Sequence, residues 1–105
     1  MFSGEAKNIS IVSSGDMSSN ITSEAVELFS AYALEISVSG SPVGTIYLEG
    51  SNDDTTYYEV ANQIISGALD RLYNVPDSIY KYIRIRWVRT SGSGTLSSRV
   101  RTLRY

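Results

Sequence analysis

The sequence contains neither histidine nor cysteine. The first absence removes the side chain that most often serves as a general base, and the second removes the softest nucleophile. Without cysteine there is also no disulfide and no thiolate metal site, so packing and backbone hydrogen bonds must hold the fold together. We therefore expect a binding protein, not an enzyme, that needs no cofactor.

Long apolar runs are also absent. Nowhere do about 18 apolar residues follow one another, which is the length that a membrane-spanning helix needs, and the first 20 residues contain no apolar stretch typical of a signal peptide. We expect a protein made in a cytoplasm, with no membrane partner. The 105 residues fit a single domain over positions 1–105. An extended arm over residues 1–24 is an open alternative to a fully folded N-terminal segment.

Acidic and basic residues are segregated along the chain. Ten of the 11 Asp and Glu residues lie in positions 1–70, and eight of the nine Lys and Arg residues lie in positions 71–105. Because opposite charges attract across paired strands, this favours pairing of late strands with early ones, within the fold or between subunits packed head to tail. A nucleic-acid surface is the competing interpretation. The net charge of −2 opposes it, since an acidic protein repels phosphate, and we expect no nucleic-acid partner.

Apolar and polar residues alternate in short runs, separated by clusters of Ser, Gly, Asn and Asp. This pattern is typical of an antiparallel all-β protein, either a sandwich or a barrel. Residues 80–89 form the clearest strand, with Ile83, Ile85 and Trp87 predicted on its buried face. Residues 24–32 also fit the spacing of an apolar helix, and a helix packed over the core is the alternative for that segment.

Short Gly- and Ser-rich turns separate two pairs of runs: residues 32–39 from 45–50, and residues 80–89 from 95–103. Such turns between alternating runs are typical of β-hairpins, so we predict that each pair forms one. The sequence Val75-Pro76-Asp77 predicts a bend, because proline cannot donate to a strand ladder.

The densest group of oxygen ligands comprises Glu49, Asn52, Asp53 and Asp54. Calcium is the ion that such oxygen ligands suit. Their spacing does not match the calcium-binding loop, and an Asn-Asp cluster is more often a hairpin tip that bonds its own backbone. We therefore expect no metal site.

Two segments occur in a familiar order: GTIYLEGSNDDTTYYEV over residues 44–60 and YKYIRIRWVRTSGSGTL over residues 80–96. The pair resembles discoidin-like β-sandwiches and, more closely, the small virion structural proteins of tailed bacteriophages. The resemblance implies a jelly-roll-like β-sandwich that coats or trims a capsid, or that sits at its vertex, tail or fibre, commonly as an oligomer.

On this basis we predict a phage virion structural protein, a capsid decoration or auxiliary protein located in the virion. Its predicted partners are the major capsid protein or other virion proteins and further copies of itself, with a trimer favoured. The alternative is a carbohydrate- or receptor-binding module of a tail fibre or head fibre. In that case Tyr57, Tyr58, Tyr73 or Trp87 would stack on sugar rings, although the position of Trp87 on its strand favours the core.

Arginine and tyrosine are enriched where interfaces gain their binding energy. The preferred docking element is therefore the closing segment, residues 98–105, although a solvated strand face explains its arginines equally well. The candidate interface residues are Arg84, Arg86, Arg99, Arg101, Arg104, Tyr105, Asp53 and Asp54.

Overall fold

The computed structural model describes residues 5–75 and 79–104, with the backbone alone for Glu5 and Arg104. These residues form nine strands and no helix: β1 (Glu5–Asp16), β2 (Ile21–Thr22), β3 (Val26–Glu27), β4 (Ala31–Gly40), β5 (Val43–Ser51), β6 (Tyr58–Ser66), β7 (Leu69–Val75), β8 (Tyr82–Ser91) and β9 (Gly94–Arg104). Within the same ranges there is accordingly no helix of the length and apolarity needed to cross a bilayer.

The strands form two antiparallel sheets that pack face to face. Sheet A has the order β1-β9-β4-β7, and sheet B has the order β2-β8-β5-β6, with β3 also paired to β8. Consecutive strands mostly alternate between the sheets, as in a jelly roll. The predicted antiparallel, jelly-roll-like β-sandwich is therefore confirmed.

The core lies between the two sheets and follows the two-residue period of the strands. In β8 the side chains of Ile83, Ile85 and Trp87 are all 0% exposed, as the sequence predicts. The indole Nε1 of Trp87 donates a hydrogen bond of 3.1 Å to the carbonyl oxygen of Met17, so the ring's one polar atom is satisfied inside the core.

The late basic strands do pair with early acidic ones. In sheet A, β9 lies between β1 and β4, and in sheet B, β8 lies between β5 and the short strands β2 and β3. Ion pairs among the described residues follow the same rule, each joining a base from the last third of the chain to an acid from the first half: Lys81–Glu27, Arg84–Glu49, Arg86–Glu49 and Arg99–Glu35.

Both predicted hairpins are wrong. The β4 and β5 strands lie in different sheets, and so do β8 and β9, so each short turn carries the chain across the core instead of reversing it within a sheet. The hairpin that does form joins β5 to β6. Alternation shows which face a side chain takes, but it does not show which neighbouring strand accepts the backbone hydrogen bonds.

The two crossing turns, residues 40–43 and 91–94, lie against each other. The amide of Ser41 donates a hydrogen bond of 2.9 Å to the carbonyl oxygen of Ser93. A Cβ at Gly92 would lie 2.1 Å from the carbonyl oxygen of Ser41, and Gly40 and Gly92 have φ angles of +89° and +73°. Glycine is needed here both for left-handed backbone and for close approach of two chains.

The helix predicted as an alternative for residues 24–32 is also wrong. Val26–Glu27 forms the short strand β3 against β8, and the amide of Leu28 donates a hydrogen bond of 2.7 Å to the carbonyl oxygen of Lys81. Cross-strand partners therefore override the local helical spacing. The bend predicted at residues 75–77 falls largely on residues 76–78, which lie outside the described part of the chain.

Candidate interaction surfaces

The outer face of sheet B carries a buried carboxylate held between two arginines. Glu49 on β5 is 7% exposed, and its Oε1 and Oε2 accept hydrogen bonds of 2.8 Å from Nε of Arg84 and 3.0 Å from Nε of Arg86. Burial raises the pKa of Glu49, but the hydrogen bonds and charges of the two arginines outweigh this effect and lower it. The carboxylate therefore stays ionised, and the three side chains together have a net charge of +1.

Two tyrosines cover the arginines of this group. The guanidinium carbon of Arg84 lies 4.0 Å from the ring centre of Tyr57, and that of Arg86 lies 4.3 Å from the ring centre of Tyr47, both within the range of a cation–π contact. The Tyr57 hydroxyl donates to the carboxylate of Asp54. Burial and then this hydrogen bond raise the pKa of Tyr57 to about 12. We use the name arginine–glutamate cluster for the following side chains: Glu49, Arg84, Arg86, Tyr47, Tyr57 and Asp54.

The loop of residues 51–56 at the β5–β6 hairpin is built around Asp53, another predicted interface residue. Its Oδ1 accepts hydrogen bonds of 2.9 Å from the Ser51 hydroxyl and from the amides of Thr55 and Thr56. These bonds, from the two amides first, hold the pKa of Asp53 below its usual value. The interpretation of this segment as a hairpin tip that bonds its own backbone is confirmed.

The oxygen atoms considered as calcium ligands do not point toward a common site. The carboxylate of Glu49 is taken up by two arginines, and Asp53 is taken up by its own loop. Across residues 5–75 and 79–104, no three His, Cys, Asp or Glu side chains gather in an arrangement suited to a metal ion.

The predicted docking arginines of the last strand lie on the opposite face of the molecule. Nη2 of Arg99 lies 2.9 Å from Oε1 of Glu35 on β4, with both side chains largely exposed, and Arg101 is exposed on the same face. Because side chains alternate between the two faces of a strand, Ser98, Val100 and Thr102 point the other way, into the core. The side chain of Arg104 and all of Tyr105 lie outside the described residues.

The sequence-predicted interface residues therefore divide between two faces. Arg84, Arg86 and Asp54 meet in the arginine–glutamate cluster on sheet B, with Asp53 in the adjoining loop, whereas Arg99 and Arg101 lie on sheet A. Sequence reasoning missed the part played by Glu49. Nothing in the sequence marks this acid as a partner of two arginines, because its partners are set by the register of β5 against β8, in which Glu49 is opposite Arg84.

Exposed apolar side chains concentrate on three strands. Six large ones are exposed among the described residues, and five of these belong to β5, β6 and β7: Val43, Tyr58, Val60, Ile64 and Leu72. Ile64 on β6 is 73% exposed and lies opposite Thr45 on β5. Leu72 on β7 belongs to sheet A, but the other four lie on the adjacent strands β5 and β6 of sheet B. Single exposed apolar residues are ordinary, but a group on adjacent strands is typical of an interaction site.

Strand β6 is also an edge of sheet B, and among the described residues it pairs with β5 alone. The other edges show the features that discourage further pairing: β1 has two register irregularities, β2 and β3 have two residues each, and β7 carries Asp70 and Arg71. The nine residues of β6 contain one charge, that of Glu59, and no proline. We call β6 the open edge.

The aromatic residues predicted for sugar stacking have different environments. Trp87 is in the core, Tyr57 is stacked against Arg84, and the Tyr73 hydroxyl donates a hydrogen bond of 3.2 Å to Oε1 of Gln63. Tyr58 differs from these three, since it is 71% exposed.

A scan against protein-family models and a search of curated proteins found no match. Solved structures do match. The SPBc2 prophage-derived protein YomS is similar at 10% identity and a TM-score of 0.63, covering 97% of each chain. The PBSX exported protein XepA is similar at 11% identity and a TM-score of 0.62, covering 93% of this chain and 36% of that one.

A chain in the structure of infectious bursal disease virus, Gx strain, is similar at 14% identity and a TM-score of 0.53, covering 96% of this chain and 33% of that one. None of these three structures is named as a discoidin domain. At such low identity the likeness establishes the fold alone. This chain thus has the fold of the prophage-derived protein over nearly all of both chains, and it spans about a third of the other two.

Proposed function

We propose that this chain is a structural protein of a phage virion, a capsid decoration or auxiliary protein that binds neighbouring capsid subunits, stabilises their contact and catalyses no reaction. The shared fold with the SPBc2 prophage-derived protein and with a chain of a virus structure supports a virion role. Jelly rolls are common in viral capsids, but they also serve other functions, so the proposal depends on the surface of this molecule.

The observation that carries the proposal is the open edge with its exposed apolar side chains. An edge strand presents unpaired backbone N–H and C=O groups to a partner strand. The carbonyl oxygen of Ile64 accepts a hydrogen bond of 3.0 Å from Nε2 of Gln63, a flexible substitute that the amide of a partner strand can replace. We propose that a strand of the capsid protein adds to β6 and buries Ile64 and Val43.

The outward arginines of sheet A provide a second contact in this proposal. Arg101 forms no ion pair with the described residues. Arg99 is paired with Glu35, but both side chains of this pair are exposed. Both arginines therefore remain accessible to an acidic surface on a neighbouring subunit. Exposed pairs of this kind contribute little to folding. Their loss would therefore change docking more than stability. Self-association as a homo-oligomer, with a trimer favoured, remains part of the proposal.

Mass spectrometry of purified virions tests the virion location. The proposal expects the chain at a fixed ratio to the major capsid protein, and its absence from finished particles would contradict it. Binding is then measured by adding the purified protein to particles that lack it, followed by co-sedimentation.

Three variants assign the docking surface. Ile64→Lys should weaken particle binding by at least tenfold, because a lysine on an edge strand opposes further pairing. Ile79→Lys is the matched control, since Ile79 is an isoleucine that is 89% exposed and lies outside β6, and it should bind as the wild type does. If a double Arg99→Ala, Arg101→Ala variant loses binding while Ile64→Lys keeps it, docking through the open edge is wrong.

A further inference from the structure

A cleft of about 510 Å³ lies at the end of sheet B, between the loop of residues 51–56 and the start of β6. Its volume is within the usual range for small-molecule sites. Neither the charge segregation nor the proposed docking through Ile64 involves it. The lining residues are Gly50, Ser51, Asn52, Asp53, Thr56, Tyr58, Glu59, Val60 and Tyr80.

Aromatic rings form the apolar part of this cleft. Because Gly50 has no side chain, the ring of Tyr80 approaches to 3.1 Å from the position that a Cβ would take there. Tyr58 lies at the opening with 71% of its surface exposed. An exposed tyrosine ring offers a flat apolar surface with a polar hydroxyl at its tip, which suits a ligand that is itself apolar on one face and polar at its edges.

Hydrogen-bonding groups surround the rings. Asn52 supplies both donors and an acceptor, Thr56 supplies a hydroxyl, and Glu59 supplies a carboxylate. The Asn52 side chain makes no hydrogen bond within the described part of the chain. The loop that carries it is already ordered by the bonds to Asp53 Oδ1, so a ligand would not have to order that loop on binding.

The charge of the cleft restricts the ligand further. Two of its lining residues are the acids Asp53 and Glu59, and none is basic. The pKa of Asp53 is lowered by the hydrogen bonds that the carboxylate accepts, so this group is ionised at neutral pH. Phosphates, sulfated sugars and sialic acids would therefore be repelled.

We propose that this cleft binds a neutral saccharide. The C–H face of a sugar ring stacks on Tyr58, and its hydroxyls exchange hydrogen bonds with Asn52, Thr56 and Glu59. The cleft shares Tyr58, Glu59 and Val60 with the open edge, but Ile64 and Val43, which the proposed capsid strand would bury, do not line it. Variants at Ile64 and at Tyr58 therefore test the two proposals separately.

A glycan array of neutral and acidic oligosaccharides, followed by saturation-transfer difference NMR on the bound ones, tests the proposal with the full chain. The wild type should bind one class of neutral glycan saturably. Tyr58→Ala should weaken that binding at least tenfold, Tyr58→Trp should retain it, and Asn52→Ala should weaken it severalfold. Ile64→Ala is the matched control, because Ile64 is on the same strand, is similarly exposed at 73% and lies outside the cleft.

Three results would overturn the proposal. The first is an array without neutral glycan binding, and the second is a preference for acidic glycans. The third is neutral glycan binding that Tyr58→Ala and Asn52→Ala leave unchanged. Because Tyr58 and Asn52 are exposed, both variants should fold, and circular dichroism identical to that of the wild type confirms that a loss of binding is local.

Discussion

Nε of Arg84 donates a hydrogen bond of 2.8 Å to Oε1 of Glu49, joining two neighbouring strands from positions 35 residues apart. Only 9% of the Glu49 side chain is exposed, whereas that of Arg84 is 31% exposed. The carboxylate has thus lost most of its hydration and depends on the two arginines to replace it.

We predict that Glu49→Gln lowers the free energy of unfolding by about 1–3 kcal/mol, the usual range for a hydrogen bond to a charged group that is lost from a buried position. Urea unfolding followed by the fluorescence of Trp87 measures this. Glu35→Gln is the control, because the Glu35–Arg99 pair is exposed, and it should leave the unfolding midpoint unchanged. Equal effects of the two substitutions would contradict the prediction.

The same carboxylate predicts a dependence of stability on pH. The folded protein lowers the pKa of Glu49 from its reference value of 4.5, so the contribution of this group is complete above about pH 4.5 and is lost as the pH falls through the lowered value. Urea midpoints between pH 7 and pH 3 should therefore decline less steeply for Glu49→Gln than for the wild type. Parallel curves would show that Glu49 contributes nothing to acid sensitivity.

Gly44 is predicted to tolerate no side chain. A Cβ there would lie 2.2 Å from the carbonyl oxygen of Val88 and 2.7 Å from Cη2 of Trp87. Because one of these contacts is backbone, Gly44→Ala should cost about 3 kcal/mol or more. Gly67→Ala is the comparison: Gly67 has a φ of +97° and open space around it, so it should cost only about 1–2 kcal/mol for the backbone conformation. Thermal unfolding of both variants should show the larger loss at Gly44.

Thr102 is predicted to stabilise the fold through its hydroxyl. The residue is 0% exposed, and its Oγ1 donates a hydrogen bond of 2.8 Å to the carbonyl oxygen of Ala31 and accepts one of 2.7 Å from the amide of Phe29. Thr102→Val preserves the shape but removes both bonds, which should cost about 1–3 kcal/mol. Thr95→Val, at an exposed position of the same strand, should have little effect. A Thr102→Val variant as stable as the wild type would refute this role.

The sequence predicts the inward face of β8 correctly, because Ile83, Ile85 and Trp87 alternate with polar residues and burial follows that alternation directly. It does not predict the crossing at Ser91–Gly94, because the same Gly- and Ser-rich turn can reverse the chain within one sheet or pass it to the other. Which of the two occurs depends on how all the strands are distributed between the two sheets, and this is a property of the whole chain.

The candidate surfaces show the same limit. The bond pattern of Asp53 is local, with all its partners within three residues, and the hairpin tip is accordingly predictable. The contact of Glu49 with Arg84 and Arg86 requires the β5–β8 register. The cleft beside Tyr58 requires Gly50 and Tyr80 to meet from segments distant in sequence, so sequence alone identifies Tyr58 as a candidate without showing the space next to it.

The central position of β9 in sheet A has a consequence for synthesis. While the ribosome still holds residues 94–104, β1 and β4 lack the strand that lies between them, and the hydrophobic side of the half-made sheet stays open to water. Folding of sheet A must then wait for residues 94–104 and join strands that are far apart in sequence, which is slow for such a topology. Chaperones and proteases would therefore encounter sheet A mainly during the interval before β9 is inserted.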